Sequence, residues 1–242
     1  MRLDENSAYG PRLSLGLKKW LLNLNRTLDS IKSDVHFSND FGFWYDRSIY
    51  SSSSFLTKLE IMVLFLEDRR FFVHKGFELR SVLRVARRLL LRGRLGGMST
   101  IDQQIVRIST KRYERTFSRK FREVLLAYLC NFHLSKKQML DYYLHNAYMG
   151  YYLEGCEDAS QALFNAPASD LTWEQAALIA SLYALPFPKS AWQKYSSFPN
   201  FPVSDPHELL DIVADAAPRW TIRVRARMMH AARHQGFRPK SL

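Results

Sequence analysis

Glu67 and Glu123 are the two residues whose surroundings could support acid–base chemistry. Glu67 ends an apolar stretch that predicts a buried helix, and burial there suits a general base working near neutral pH. Glu123 follows a cluster of cations that is expected to lower its pKa and keep it ionised: Arg119, Lys120 and Arg122. Two carboxylates in opposite environments can divide the roles in glycosyl chemistry. Each could instead be only an ion-pair partner for a nearby arginine.

Positive charge is concentrated between the two glutamates. Residues 80–122 contain thirteen Lys/Arg against two acids, a net charge of +11 out of +12 for the chain. Such a field implies a polyanionic partner: nucleic acid, an anionic membrane surface or a phosphate-bearing substrate. The arginines between Arg80 and Arg94 are interleaved with aliphatic residues and not with stacking aromatics. This favours a lipid–water boundary over single-stranded nucleic acid, but leaves double-stranded DNA open.

The segment between these arginines and Glu123 predicts an anion or sugar site. Gly97 and Met98 lead into Ser99-Thr100, and a glycine turn before a capped helix start exposes backbone N–H groups that can hold an anion. Gln103 and Gln104 could bind sugar hydroxyls, although any capped helix start looks similar. No His, Asp or Glu cluster has convincing metal spacing, and His74 is expected in the core or at a cap. Two free core thiols are expected at Cys130 and Cys156, with a disulfide between them as the alternative.

The periodicity along the 242 residues predicts a mainly α protein. An amphipathic helix is expected from Ser14 to Ile31, packed on the core or lying on a membrane, followed by a connector over residues 34–55. Later helices are expected to begin at five caps: Thr57, either Ser99 or Thr100, Ser118, Ser135 and Thr172. A loop is expected over residues 188–205, before a basic helix over residues 218–234. These elements suggest three parts: residues 1–56, a core at 57–190, and 191–242. The sequence shows no membrane-spanning run and no signal-peptide pattern.

Several segments match known motifs in the same order. A Glu-Asp-x-x-Phe-x-x-His-x-Gly motif matches Glu67, Asp68, Phe71, His74 and Gly76. A Gly-x-Ser-Thr-Ile-x-Gln-Gln motif matches Gly97, Ser99, Thr100, Ile101, Gln103 and Gln104. Further matches are Arg119, Lys120, Glu123, Ser135, Lys136, Leu140, Tyr143 and Leu144, then residues 171–180, Pro186, and Arg223, Arg227, Met228 and Gly236. Together they resemble the glycosyltransferase domain of class A penicillin-binding proteins and monofunctional peptidoglycan glycosyltransferases.

The resemblance implies a lysozyme-like fold with a head lobe and a membrane-facing jaw. It also implies polymerisation of lipid II into glycan strands with inversion at the donor sugar. Glu67 would deprotonate the acceptor 4-hydroxyl, and Glu123 would assist departure of the lipid pyrophosphate by positioning it, protonating it or acting through a metal ion. The residues that would contact donor sugar and pyrophosphate are Ser99, Gln103, Gln104, Arg107, Arg115, Arg119, Lys120 and Arg122.

The resemblance also carries expectations about cofactors, partners and location. No cofactor is expected to be required, although a divalent metal such as Mg²⁺ is a plausible helper because it would neutralise pyrophosphate charge. The stripe from Phe77 to Leu95 would form the jaw and contact the membrane. A peripheral protein on the extracytoplasmic (periplasmic) face is expected, with other cell-wall synthesis proteins as possible partners and no nucleic acid.

The sequence departs from the family pattern in several places. Arg107-Ile108 replaces a usual Lys-Asn, Asp102 a usual Thr, and His145 a usual Asn. The usual Tyr-Phe-Gly-Lys becomes residues 163–166, which lack its glycine and its cation. The sequence also shows no anchor helix and no transpeptidase pattern. These departures leave processivity, acceptor choice and membrane retention open, but both acids are present.

Three other functions are compatible with parts of the sequence. A catalytically silent relative would bind cell-wall precursor or scaffold a cell-wall complex. A muramidase on the same fold would need one dominant acid and no pyrophosphate cradle, so the basic field counts against it. A DNA-binding protein would show salt-sensitive binding to duplexes.

Overall fold

The computed structural model describes residues 15–41, 56–76, 99–114 and 116–233. Within these ranges helices predominate, so the prediction of a mainly α fold is confirmed. The helices are α1 (Leu15–Phe41), α2 (Lys58–Glu67), α3 (Ile101–Thr110), α4 (Phe117–His133), α5 (Lys136–Asn146), α6 (Gly155–Phe164), α7 (Trp173–Leu182), α8 (Lys189–Ser196), α9 (Pro206–Ile212) and α10 (Pro218–Ala232). Strands β1 (Tyr148–Gly150) and β2 (Leu153–Glu154) pair antiparallel between α5 and α6.

Helix α7 lies at the centre of the described fold. Every residue from Gln175 to Leu182 is buried, and three of them are alanines that allow neighbouring helices to approach closely. Helices α2, α6, α9 and α10 all contact it. A helix with apolar side chains on most faces must be covered on most faces, and that requirement explains its position. Because α2 and α10 both pack on α7, these two helices, which are far apart in the sequence, lie next to each other.

Helix α1 packs against α3, α4 and α5. Its buried side chains recur at spacings of four, three and four residues: Leu24, Leu28, Ile31 and Val35. The prediction that this helix packs on the core is therefore confirmed for the part from Leu24 to Val35. The helix also continues to Phe41, so the prediction of a connector beginning at Asp34 was wrong.

Hydroxyl caps define several helix starts, as the sequence predicted. Thr57, Ser135 and Thr172 each form a reciprocal capping box with the residue three positions on. Thr100 caps α3 by accepting from the Gln103 N–H. At α4, however, Thr116 is the cap and not Ser118, so the helix begins at Phe117.

The C-terminal third contains more helix than the sequence predicted. Helix α8 occupies part of the expected loop from Pro188 to Asp205, and α9 follows directly after it. Helix α5 ends at Asn146, because the chain turns there into the hairpin. Burial raises the pKa of both free thiols, Cys130 and Cys156, to about 12. No described helix is long and apolar enough to cross a membrane.

Candidate active site

Glu67 is the last residue of α2 and is held by partners from two distant helices, α10 and α3. Its Oε1 accepts from Arg227 Nη2 of α10 at 2.6 Å, and its Oε2 accepts from Gln104 Nε2 of α3 at 3.4 Å. Gln104 in turn accepts from the Tyr143 hydroxyl at 2.9 Å. Burial and the charge of Glu67 raise the pKa of Tyr143 well above its usual range, so this hydroxyl stays a donor. The chain Tyr143–Gln104–Glu67 fixes one carboxylate oxygen and Arg227 fixes the other.

The loop after Glu67 is locked onto the start of α3. The Asp68 carboxylate contacts His74 Nε2 at 2.9 Å and accepts from the Ile101 N–H at 3.2 Å. The Gly76 carbonyl accepts from the Thr100 hydroxyl at 3.2 Å and from the Gln103 side chain at 3.1 Å.

Gly76 is required by this arrangement for two reasons. Its φ is +73°, and an added Cβ would lie 2.6 Å from the Ala127 backbone of α4. The motif that runs from Glu67 to Gly76 therefore fixes the distance between the end of α2 and the start of α3.

Glu123 lies inside a cluster of cations contributed by α3 and α4. Its Oε1 accepts from Arg107 Nη2 at 3.1 Å and from Lys120 Nζ at 2.6 Å. Its Oε2 accepts from Arg107 Nε at 3.4 Å and from Arg119 Nη1. The side chain is only 3 % exposed, so these ion pairs are shielded from water. We call Arg107, Arg119, Lys120 and Glu123 the cationic cradle, and its net charge is +2.

Two neutral residues connect the cradle to the rest of the site. Lys120 Nζ donates to Ser99 Oγ at 2.9 Å and to Gln103 Oε1 at 2.7 Å, and Arg107 donates to Ser99 at 3.1 Å. Gln103 and Gln104 are consecutive on α3, and one contacts the cradle while the other contacts Glu67. Glu67 and Glu123 are therefore connected through one turn of α3.

The electrostatics of the cradle can be assigned to specific causes. Burial tends to raise the pKa of Glu123, but hydrogen bonds from Lys120 and Arg107 outweigh it and the pKa is lowered. Burial lowers the pKa of Lys120, the charges of Arg107 and Arg119 act in the same direction, and the ion pair with Glu123 opposes them. Glu123 is therefore an ionised carboxylate at neutral pH, as its sequence neighbours predicted.

The structure brings together most, but not all, of the residues predicted for the site. Ser99, Gln103, Gln104, Arg107, Arg119 and Lys120 surround the two glutamates. Arg122 does not join them, because its guanidinium donates to the Thr27 hydroxyl and the Asn23 carbonyl of α1. Arg115 and the stripe from Phe77 to Leu95 lie outside the described residues.

Arg227 contacts Glu67 directly and was not among the predicted site residues. It lies 160 positions from Glu67 in the chain, and only the packing of α10 beside α2 brings them together. The available signal was its place in the basic C-terminal helix, where it matched a motif without an assigned role.

Neither acid cluster offers a good divalent-metal site. At Glu123, three cations already contact the two oxygens. Asp68, His74 and Asp102 lie close enough to share an ion, but Asp68 is bonded to His74 and to the Ile101 N–H. Asp102 Oδ1 accepts from Lys136 at 2.6 Å, which leaves Oδ2 as its one unpartnered oxygen. A divalent ion would have to displace these bonds beside an ammonium group, so the donor set does not fit.

The departures from the family pattern have local explanations. Asn165 stands where glycine is usual and adopts φ +50°, a left-handed conformation that asparagine tolerates better than most residues. It ends α6 by donating its N–H to the Gln161 carbonyl at 2.9 Å. Asp102, where threonine is usual, is fully buried and pairs with Lys136. Arg107 keeps the positive charge of the usual lysine and reaches both Ser99 and Glu123.

A carboxylate with one cationic partner and a second carboxylate inside a cationic cradle suit the transfer of a sugar away from an anionic leaving group. Comparison with known families agrees with this class of site. The family model described as Transglycosylase matches residues 36–200, which is more than half of the chain. The chain therefore belongs to the transglycosylase family.

The relatives are penicillin-binding proteins. Penicillin-binding protein 1A of Neisseria gonorrhoeae is 37% identical over 141 residues, which cover 58% of this chain and 18% of that protein. The Neisseria flavescens protein of the same name is 38% identical over 129 residues, covering 53% and 16%. Penicillin-binding protein 1F of Bacillus subtilis (strain 168) is 36% identical over 122 residues, covering 50% and 17%. The chain spans less than a fifth of the length of these relatives.

Proposed function

We propose that the chain is a peptidoglycan glycosyltransferase that polymerises lipid II into glycan strands with inversion at the donor sugar. The observation that carries the proposal is the connection of Glu67 and Glu123 through Gln104 and Gln103, with three cations around Glu123 and one, Arg227, at Glu67. Growing glycan strand and lipid II are the proposed substrates.

Glu67 is the proposed general base. In this mechanism its carboxylate takes the proton of the acceptor 4-hydroxyl, and the hydroxyl oxygen attacks the donor anomeric carbon. Gln104 and Arg227 hold the carboxylate in one orientation, so little reorganisation is needed at the moment of transfer. General-base catalysis of this kind contributes about 10²–10⁴-fold.

The cationic cradle is the proposed binding site for the departing pyrophosphate. As the bond from the anomeric carbon to phosphate oxygen breaks, negative charge grows on that oxygen and the cradle's donors stabilise it. Glu123 assists by positioning Arg107, Arg119 and Lys120 and not by protonating the leaving group, since its lowered pKa keeps it ionised. We propose Lys120 as the donor of a proton to the leaving group, because its lowered pKa makes its proton easier to give up. No step in this proposal uses a metal ion.

The protein is further proposed to work at the extracytoplasmic face of a membrane. Helix α4 carries aromatic side chains that share one face and are 43% to 98% exposed: Phe117, Phe121, Tyr128 and Phe132. A contiguous exposed apolar face supports contact with lipid. Phe117→Ser with Phe121→Ser is expected to reduce sedimentation with lipid vesicles. The matched control is Ile222→Ser, which alters an apolar side chain of α10 that is 68% exposed. An equal loss in both would contradict this membrane surface.

The experiment that tests the activity is incubation of the purified protein with lipid II, followed by electrophoresis of the products. Wild type should form polymer in the presence of EDTA, and Glu67→Gln should form almost none. Glu174→Gln is the matched control, because Glu174 is an exposed acid on α7 outside the site. Failure of the wild type to polymerise under any detergent or lipid condition would refute the activity. Lipid II binding without turnover would instead select a binding-only relative.

A further inference from the structure

A second basic region, separate from the cradle at Glu123, is a pocket where α1 meets α3 and α4. Its volume is about 380 Å³. Helices α1, α3 and α4 contribute to it, together with Arg112, which follows the C-terminal end of α3. The lining residues are Asn23, Arg26, Thr27, Ser30, Ser109, Thr110, Arg112 and Arg122. On a helix each residue is turned by about 100° from the one before it, which is why Arg122 faces this pocket while Glu123 faces the cradle.

The α1 side of the pocket is built by helical spacing. Asn23, Arg26, Thr27 and Ser30 recur every three or four residues and therefore share one face of the helix. This face is distinct from the core face described above. Thr27 donates to the Asn23 carbonyl at 2.7 Å and accepts from Arg122, so a hydrogen bond connects the α1 side of the pocket to α4.

The charges in the pocket are uncompensated. Within the described part of the chain, neither Arg26 nor Arg112 has an acidic partner. Arg122 Nε is buried without a hydrogen-bond partner. Burial lowers the pKa of Arg122, and the nearby charge of Arg112 adds to the effect. Like charges held together with an unpaired buried donor favour the binding of an anion.

Two groups oppose anion binding, and both are too weak to cancel three guanidinium groups. The C-terminal end of α3 contributes about half a negative charge through its dipole. The Asp34 carboxylate accepts from the Ser109 hydroxyl at one edge. The pocket therefore stays positive. The Ser109 hydroxyl donates to Asp34 and the Thr110 hydroxyl to the Val106 carbonyl at 2.6 Å, which leaves Ser30 as the hydroxyl donor of the lining besides Thr27.

We propose that this pocket binds a phosphate group, separately from the cationic cradle at Glu123. Arginine forks bind phosphate oxygens in pairs, and hydroxyl groups fill the remaining acceptor positions. The phosphate is carried by a soluble phosphate compound or by an anionic phospholipid headgroup. The inference does not depend on glycosyltransferase activity, because it concerns binding alone.

The test uses Arg26→Gln with Arg112→Gln in the intact protein. The matched control is Lys194→Gln with Arg219→Gln, which removes two exposed positive charges elsewhere. Binding of inorganic pyrophosphate is measured by calorimetry, and binding to phosphatidylcholine vesicles with and without phosphatidylglycerol is measured by sedimentation. The pocket variant should lose about tenfold or more in one of these affinities, and the control should keep both. A response to pyrophosphate alone identifies a soluble ligand, and a response to phosphatidylglycerol alone identifies the headgroup.

A site-resolved measurement separates this pocket from the cradle. Pyrophosphate or phosphatidylglycerol vesicles should protect Arg26 and Arg112 of the wild type from phenylglyoxal, as read by mass spectrometry, and should leave Arg219 unprotected. Circular dichroism checks that the variants are folded. Equal affinities in the pocket variant and the control, or no protection at Arg26 and Arg112, would overturn the proposal.

Discussion

Replacing Glu123 by glutamine tests whether this residue works by positioning cations. Each carboxylate oxygen accepts from two positively charged side chains: Arg107 and Lys120 at Oε1, Arg107 and Arg119 at Oε2. An amide NH₂ at either place therefore faces two donors and repels both. The shape of the side chain is kept, so the change is confined to hydrogen bonding and charge.

The size of the effect follows from these contacts. Two charge-assisted hydrogen bonds at about 1.5–3 kcal/mol each represent about 3–6 kcal/mol. Lys120 keeps its bonds to Ser99 and Gln103, so we expect about half of that loss to appear in the transition state. This corresponds to a decrease of about 10- to 100-fold in kcat. Because the cradle then carries one more net positive charge, KM for lipid II should rise by no more than about threefold.

The assay is the initial rate of lipid II polymerisation, measured against substrate concentration and pH. Glu114→Gln is the control for a general change in field, because Glu114 is an exposed acid near the cradle whose backbone carbonyl, and not its carboxylate, contacts Arg119. The positioning role predicts that Glu123→Gln keeps the shape of the kcat–pH profile. Disappearance of the alkaline limb in this variant would refute the reasoning, since it would make Glu123 the proton donor.

Three further predictions concern the charged groups of the same region. Lys120→Arg should move the alkaline limb of the kcat–pH profile upward, because the pKa of Lys120 is lowered by burial whereas arginine stays charged; an unmoved limb would assign it to another group. Lys136→Met should reduce the free energy of unfolding in urea by about 3–5 kcal/mol, because it removes the cation bonded to the buried Asp102 carboxylate and leaves that charge with a hydrogen bond from the neutral Asn131 amide. Adding Asp102→Asn should recover much of that loss, and no recovery would contradict the explanation. Finally, the lowered pKa of Glu123 gives stability that is present above the unfolded-state pKa of about 4.3 and is lost as pH falls through the lower folded-state pKa; acid unfolding curves should show a smaller effect in Glu123→Gln.

Features set by neighbouring residues could be predicted from the sequence. The capping boxes at Thr57, Ser135 and Thr172 depend on two residues three positions apart, so their pattern is visible in the chain. The prediction of Ser118 as the cap of α4 was wrong because a capping pattern is local and two candidates lay close together. Thr116 and Ser118 are both good caps, and the choice between them depends on where α4 starts to pack.

Features set by long-range packing were predicted less well. Helix α8 has only eight residues and begins directly after Pro188, and its buried Tyr195 is fixed by bonds to Leu163 and Val203 on either side of it. Such a short helix gains its stability from tertiary contacts and not from local propensity.

The sequence by itself determined the type of chemistry. The residue types at Glu67 and Glu123, and the cations adjacent to the second of them, already indicated one carboxylate among apolar residues and one in a positive field. A charge beside a neighbour in the chain remains near that neighbour in any helix, so this information is local.

Only the tertiary structure decided which side each charge faces and which distant residues complete the site. Arg122 and Glu123 are adjacent, yet a turn of about 100° sends one toward α1 and the other into the cradle. Arg227 reaches Glu67 across 160 residues because α2 and α10 both pack on α7. The helical rotation could be calculated from the sequence, but the partner that each face meets is fixed only when the core is assembled.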